Sequence, residues 1–244
     1  MKKLAFGLMR LPIIGDDFKN IDKEKAKVMI DKFMEQGFTY FDTAYVYHGG
    51  NSEKVFGELV ASRYPRDKFT VTTKMPMFSD KTPEEYEKIF NEQLERCQVE
   101  YFDWYFLHCL SKDNYFGRVI PENAFDFVVK KKQEGKIKHI GFSYHDQAEL
   151  LDEILSKHPE VELVQLQLNY IDWEDEGVQA RKNYEVCVKY HKDVAVMEPL
   201  KGGKLINIPD SAKKMLKEAN PNESIASWGI RFAASLPNVI IVLS

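Results

Sequence analysis

Two rhythms of apolar residues alternate along the chain. Short runs rich in β-branched and aromatic residues predict eight strands: LAFGLMRL, FTYFDTAY, FTVTTKM, YFDWYFLHCL, IKHIGFSY, VELVQLQLNY, VAVMEPL and VIIVLS. Between them the apolar positions recur at helical spacing. Ala26, Met29, Ile30 and Phe33 form one stripe, and Val55, Phe56, Leu59 and Val60 a second. A third comprises Tyr86, Ile89, Phe90, Leu94 and Cys97. Helix ends are legible too. Thr82-Pro83-Glu84-Glu85 has the form of a capping box with proline at the first helical position, and Gly37 and Gly135 stand where helices should stop.

Strands alternating with helices predict a parallel sheet with right-handed crossovers, either closed into a barrel or open and doubly wound. An open dinucleotide-binding sheet normally carries G-x-G-x-x-G after its first strand. Here that turn reads Arg10-Leu11-Pro12-Ile13-Ile14-Gly15, which does not match. Eight units in 244 residues predict an α/β fold of the (β/α)8 TIM-barrel type, as one domain over residues 1–244. The last run ends at Ser244, so this reading expects a barrel cut short after strand 8, without its final covering helix.

Composition narrows the partners. Hydrophobic residues make up 44% and charged residues 30%, which excludes a disordered chain. The net charge of −4 gives no electrostatic case for a nucleic acid or an anionic membrane. No apolar run approaches the ~20 residues of a membrane helix. Arg10 and Pro12 interrupt the apolar part of the basic start, so it does not read as a signal peptide. Cys97, Cys109 and Cys187 are odd in number and far apart, which fits buried reduced thiols rather than a disulfide framework or a zinc ribbon. A cytoplasmic location is the expectation on these grounds.

In such barrels the chemistry sits at the carboxyl ends of the strands. Strand 2 ends in Asp42 with Tyr47 in the loop beyond, strand 3 in Lys74 and strand 4 in His108. Strand 5 offers Ser143, Tyr144 and His145, strand 6 Gln165, Gln167 and Asn169, and strand 7 leads into Lys201-Gly202-Gly203-Lys204. A lysine pointing into a partly desolvated cup needs a counter-ion, and Asp42 is placed to supply it. A phenol with a pKa near ~10 is a poor proton donor at neutral pH, and an adjacent ammonium should lower that value. Tyr47 then handles a proton at a carbonyl or alcohol oxygen, which His108 orients.

These residues resemble a known family. Asp42-Thr43-Ala44-Tyr45-Val46-Tyr47, followed by Gly50, Ser52, Glu53 and Gly57, is similar to the aldo-keto reductase signature D-T-A-x-x-Y…G-x-S-E-x-x-x-G. Thr73-Lys74, Phe106-Leu107-His108 and the stretch from Gly135 to Ser143 follow in the same order. The resemblance implies a (β/α)8 oxidoreductase that uses a nicotinamide cofactor, usually NADPH with NADH possible, to reduce an aldehyde or ketone. It makes Tyr47 the general acid, has Lys74 and Asp42 tune it, and has His108 orient the substrate. It assigns Ser143 and Gln165 to the nicotinamide carboxamide, and Met197 to the position where many members stack an aromatic ring. Pro199, Leu200, Lys201, Gly202 and Gly203 fall where the family's loop approaches the pyrophosphate. The expected partners are cofactor and a small carbonyl substrate, with no metal, no membrane and a monomer as default.

Some positions depart from the pattern. Tyr144 stands where the family commonly has an asparagine. The opening Phe6-Gly7-Leu8-Met9-Arg10-Leu11-Pro12 looks like a branch whose longer members carry a C-terminal ferredoxin-like iron–sulfur segment, and no cysteine run of that kind is present. The chain reads as a shortened member or as a piece of a longer protein. Tyr45, Phe78, Tyr115, Phe116 and Trp173 are candidates for an aromatic rim. Three further readings of the cup stay open: a Schiff-base aldolase with Lys74 as nucleophile, a metal hydrolase using His108, His145 and Asp42, and a barrel (or inactive fragment) that holds a nucleotide without turnover.

Overall fold

A computed structural model describes residues 2–78 and 82–244. All eight apolar runs form strands: β1 (Leu4–Gly7), β2 (Tyr40–Asp42), β3 (Thr70–Pro76), β4 (Phe102–Leu110), β5 (Ile137–Tyr144), β6 (Leu163–Gln167), β7 (Asp193–Met197) and β8 (Val239–Leu243). Each pairs in parallel with its neighbours, and β1 pairs with β8, so the sheet closes as a barrel. The strands are shorter than several of the runs that predicted them. After β1, for example, the chain turns at once into a 3-10 turn over Leu8–Arg10.

The crossovers are helical. They comprise α1 (Lys23–Glu35), α2 (Asn51–Phe56), α3 (Pro83–Cys97), a single turn α4 (Lys112–Asn114), α5 (Ala124–Gln133), α6 (Ala148–Lys157) and α7 (Ala180–Lys189), with α8 (Asp210–Ala219) and α9 (Ile225–Ser235) both lying between β7 and β8. The capping box at Thr82 and Glu85 opens α3 as predicted. Gly37 and Gly135, after α1 and α5, take left-handed φ of 74° and 73°. The predicted stripes face the barrel with one exception. In α1, Ala26, Ile30 and Phe33 are buried, whereas Met29 lies on the flank of the stripe and is exposed.

The barrel interior explains where the chemistry can go. Side chains alternate along a strand, so residues two apart share a face. Tyr40, Trp104, Phe106, Leu163, Ala195 and Ile241 form a cluster that fills the interior. Two positions beyond Tyr40, Phe106, Leu163 and Ala195 stand Asp42, His108, Gln165 and Met197. Thr72, hydrogen-bonded to the Tyr40 hydroxyl, precedes Lys74 by the same interval. The core residues below the cup therefore set the direction of the polar residues above them.

Candidate active site

Lys74 is the centre of the cup. Its side chain is fully buried, and Nζ donates to Asp42 Oδ1 at 2.5 Å, to the Thr43 carbonyl at 2.8 Å and toward the Tyr47 hydroxyl at 3.4 Å. The ammonium also lies 4.9 Å from the Tyr47 ring centroid. Burial alone would lower the Lys74 pKa, but Asp42 and Tyr47 outweigh it and hold the ammonium above its ordinary value. Asp42 is pushed up by burial and pulled down by Lys74 and Gln165, whose Nε2 donates to Asp42 Oδ2 at 3.2 Å. A lysine held this firmly as an ammonium is a poor nucleophile, which argues against Schiff-base chemistry at Lys74.

Tyr47 requires a correction of detail. Lys74 does pull the phenol down, but burial is the larger effect and the Tyr47 pKa stands above its usual value. The expected net lowering does not occur. The resting hydroxyl is thereby kept protonated, the state that a proton donor needs.

His108 is buried between two rings: Tyr47 lies edge-on at 5.7 Å and Phe78 edge-on at 5.2 Å. Burial, Lys74 and His145 hold its imidazole well below the usual range, so it is neutral. Among the described residues its Nδ1 has no hydrogen-bond partner. Directly after it the backbone breaks from regular pairing. The β4–β5 register shifts between Leu107 and Leu110, and Cys109 takes a left-handed φ of 62°. Bulges of this kind re-aim side chains beside functional sites. Cys109 N–H donates to Ser143 Oγ at 2.7 Å, which ties the bulge to β5.

Ser143 and Gln165 are paired in register, and Gln167 is paired with Met197. Tyr144 points the other way, into the helix layer beside Phe142, and its hydroxyl donates to the Gln147 carbonyl at 2.6 Å. Met197 is half-buried. Beyond it the loop coils tightly, with Glu198, Lys201, Gly202 and Gly203 all at positive φ. Pro199 and Leu200 rest against Gly229 of α9, where a Cβ would lie 2.7 Å from the Leu200 side chain. Lys201 is ion-paired to the buried Asp172, which also accepts from Asn169 Nδ2 at 2.8 Å. Arg10 reaches Glu198 at 2.8 Å and links the loops after β1 and β7.

Of the aromatic-rim candidates, Phe78 and Phe116 are exposed, whereas Tyr115 is buried against His158. Tyr45 donates to Glu92, and Trp173 packs on Tyr184 and Phe232. No group of three His, Cys, Asp or Glu among the described residues could hold a metal ion. No helix among them is long and apolar enough to cross a membrane.

A supporting network escaped the sequence reading. Buried Glu53 accepts from Thr73 Oγ1 at 2.6 Å and from Gln93 Nε2 at 2.8 Å, and Gln93 also donates to the Lys74 carbonyl at 3.1 Å. Gln93 had a signal: it is a polar residue in the apolar stripe of α3, between Phe90 and Cys97. Gly57 belongs to the same packing, since a Cβ there would meet the Arg96 carbonyl at 2.4 Å, closer than any substitution allows.

Fold and cup together define a (β/α)8 barrel with a buried Asp42–Lys74 pair, beside Tyr47 and His108, at the carboxyl ends of its strands. The family model described as "Aldo/keto reductase family" matches residues 3–244, and the chain belongs to that family. Among curated relatives it is 33% identical over 149 residues to L-galactose dehydrogenase of Arabidopsis thaliana, a match covering 59% of this chain and 45% of that protein. An aldo-keto reductase of Mycobacterium avium is 24% identical over 234 residues, covering 95% and 76%. Among solved structures, an aldo/keto reductase from Klebsiella pneumoniae in complex with NADP and acetate superposes with a TM-score of 0.76 at 18% identity, covering 98% of this chain and 80% of that one. The matched segment spans less than half of the first of these relatives.

Proposed function

We propose that this barrel reduces an aldehyde or ketone to an alcohol with NADPH as reductant, and that Tyr47 supplies the proton. The reading rests on one observation above the others: a fully buried ammonium, Lys74, is held by Asp42 and lies within reach of the Tyr47 hydroxyl. Family membership and the NADP that the Klebsiella pneumoniae enzyme carries support the choice of cofactor.

The residues present fit a nicotinamide. Ser143 Oγ already accepts from Cys109 N–H, so its own proton is left to donate. Gln165 already donates through Nε2, so its Oε1 is left to accept. Met197, two positions beyond the core residue Ala195, offers a soft apolar surface for a ring. Pro199, Leu200, Gly202 and Gly203 would lie along the phosphates, and Lys201 would have to share its charge between them and Asp172. When bound, the cofactor delivers hydride to the carbonyl carbon.

The chain's own residues do the rest. His108, neutral and wedged between Tyr47 and Phe78, orients the carbonyl oxygen. As charge develops on that oxygen, Tyr47 transfers its hydroxyl proton to it. The phenolate left behind lies next to the Lys74 ammonium, which stabilises it by direct Coulomb attraction in a site withdrawn from water. Asp42 keeps that ammonium charged and fixed.

The test is NADPH consumption with a panel of aldehydes by the protein and by Tyr47→Phe. The variant should lose most of kcat and keep its cofactor affinity. Undiminished turnover by Tyr47→Phe would overturn the assignment.

A further inference from the structure

Gln165 joins the nicotinamide subsite to the proton-handling pair. It is buried at the end of β6, and its Nε2 holds Asp42 Oδ2 at 3.2 Å while Lys74 holds Asp42 Oδ1 at 2.5 Å. One carboxylate thus has one oxygen on each partner. With its nitrogen committed to Asp42, the amide turns Oε1 the other way, and that atom takes no hydrogen bond from the described residues. Ser143, paired with Gln165 in register, is committed in the opposite sense, because Cys109 N–H occupies its oxygen. A free acceptor therefore stands beside a free donor.

That pair complements a primary carboxamide, which presents N–H and C=O from one carbon. A ketone in the same place would leave Oε1 buried without a donor, a loss that costs more than the bond itself is worth. The two ends of the Gln165 amide are also conjugated. A donor on Oε1 polarises the group and strengthens its N–H bond to Asp42.

Resting on the reading above, we propose that Gln165 is a positioning residue that couples recognition of the cofactor's carboxamide to ionisation of Asp42, and through Asp42 to the Lys74–Tyr47 pair. The groups that face Asp42 are the Lys74 ammonium from β3, the Gln165 amide from β6, the Tyr40 phenol on its own strand and the Tyr47 phenol beyond it. His108 and His145 act on this set through Lys74. Both phenols stay neutral, which leaves Asp42 as the member that responds on the acid side.

The experiment measures Kd by protein fluorescence for NADP+ and for its analogue with 3-acetylpyridine in place of nicotinamide. Both ligands carry the same phosphates, so the ratio of the two Kd values cancels phosphate titration. In the unmodified protein NADP+ should bind about tenfold more tightly at pH 7. That preference should shrink about threefold as acidification protonates Asp42, whose pKa burial raises above the ordinary carboxylate value, because the protonated carboxyl no longer draws on the amide. In Gln165→Leu, which removes both the donor and the acceptor of the amide, the ratio should be close to one and independent of pH. A preference in the unmodified protein that is constant with pH overturns the coupling. A ratio near one at every pH in that protein overturns carboxamide recognition while leaving cofactor binding intact. Failure of the folded protein to bind either ligand would overturn the proposed function itself, and the inference with it.

Discussion

Tyr47, Lys74 and Asp42 at the carboxyl end of the barrel have a counterpart at the amino end, where Tyr101, Lys138, Arg66 and Asp103 gather. The residue types are the same and the outcomes differ. At the amino end Asp103 is saturated: it accepts from Arg66 at 2.7 Å, from Lys138 at 3.0 Å and from the Val71 N–H at 2.9 Å. Both cations also lie over the Tyr101 ring, at 3.9 and 4.2 Å, and Lys138 remains half exposed. That cluster pins the starts of β3, β4 and β5 together, and water screens it. At the carboxyl end Lys74 has no exposed surface, and the phenol beside it is left with a proton to give. The lesson is that the same residue types give a screened, saturated cluster where water reaches them and a strongly coupled, incompletely saturated one where burial removes it.

The widest separation between the two clusters should come in catalysis. Tyr47→Phe is expected to lower kcat by about 10²–10⁴-fold, the usual contribution of a positioned general acid. Tyr101→Phe, which removes a hydroxyl that accepts from Lys138 at 3.2 Å, should leave kcat within about twofold. Steady-state rates on both variants decide this, and a large loss in Tyr101→Phe would collapse the distinction.

Stability should separate them next. Lys74→Met leaves the Asp42 carboxyl buried without its cation, either charged or forced to take up a proton, and breaking such a pair costs about 3–5 kcal/mol. Lys138→Met removes one exposed partner from a carboxylate that keeps Arg66 and the Val71 N–H, and should cost under about 1 kcal/mol. Urea unfolding of the two variants gives both values, and similar midpoints would show that Lys74 is not buried as described.

The smallest effect concerns pH. Burial, Lys74 and His145 depress the pKa of His108 in the folded chain. As pH falls through the ordinary histidine range the unfolded chain gains a proton that the native state refuses, so stability falls with it. His108 should contribute up to about 1.4 kcal/mol per pH unit below about 6.5. His108→Gln should flatten that slope in thermal melts between pH 7.5 and 5.5, with His145 supplying the slope that remains. Identical slopes would mean that His108 is not held neutral.

Much of the molecule was legible from order and period. The eight runs became the eight strands, and the stripes of α2 and α3 packed inward, because alternation by two and by 3.6 is a property of the backbone itself. Asp42, Lys74 and His108 of the cup were legible through strand ends, and Tyr47 through the loop that follows the first of them. Gln93 and Glu53 were not assigned a role, because what makes them matter is the approach of α3 to β3, which no local pattern encodes. For the rim candidates Tyr45, Tyr115 and Trp173 the sequence left packing and a rim equally open, because an aromatic residue in a loop has the same signature whether it faces a substrate or a neighbouring helix. In the fold Tyr45 bonds Glu92, Tyr115 is buried and Trp173 packs on Phe232.

By itself, then, the sequence determined which residues alternate, where helices begin and end, and that Asp42, Lys74 and His108 sit at strand ends on one face of a barrel. Tertiary structure decided the rest. Whether Tyr47 sits above or below the ordinary phenol value depends on the competition between burial and a cation, both set by neighbours far away in the chain. The bulge at Cys109, the ion pair that occupies Lys201 and the link from Gln165 to Asp42 have the same origin. Each joins residues on different strands or loops, and the strength of a charge or hydrogen bond depends on the solvent excluded around it, which only the closed fold defines.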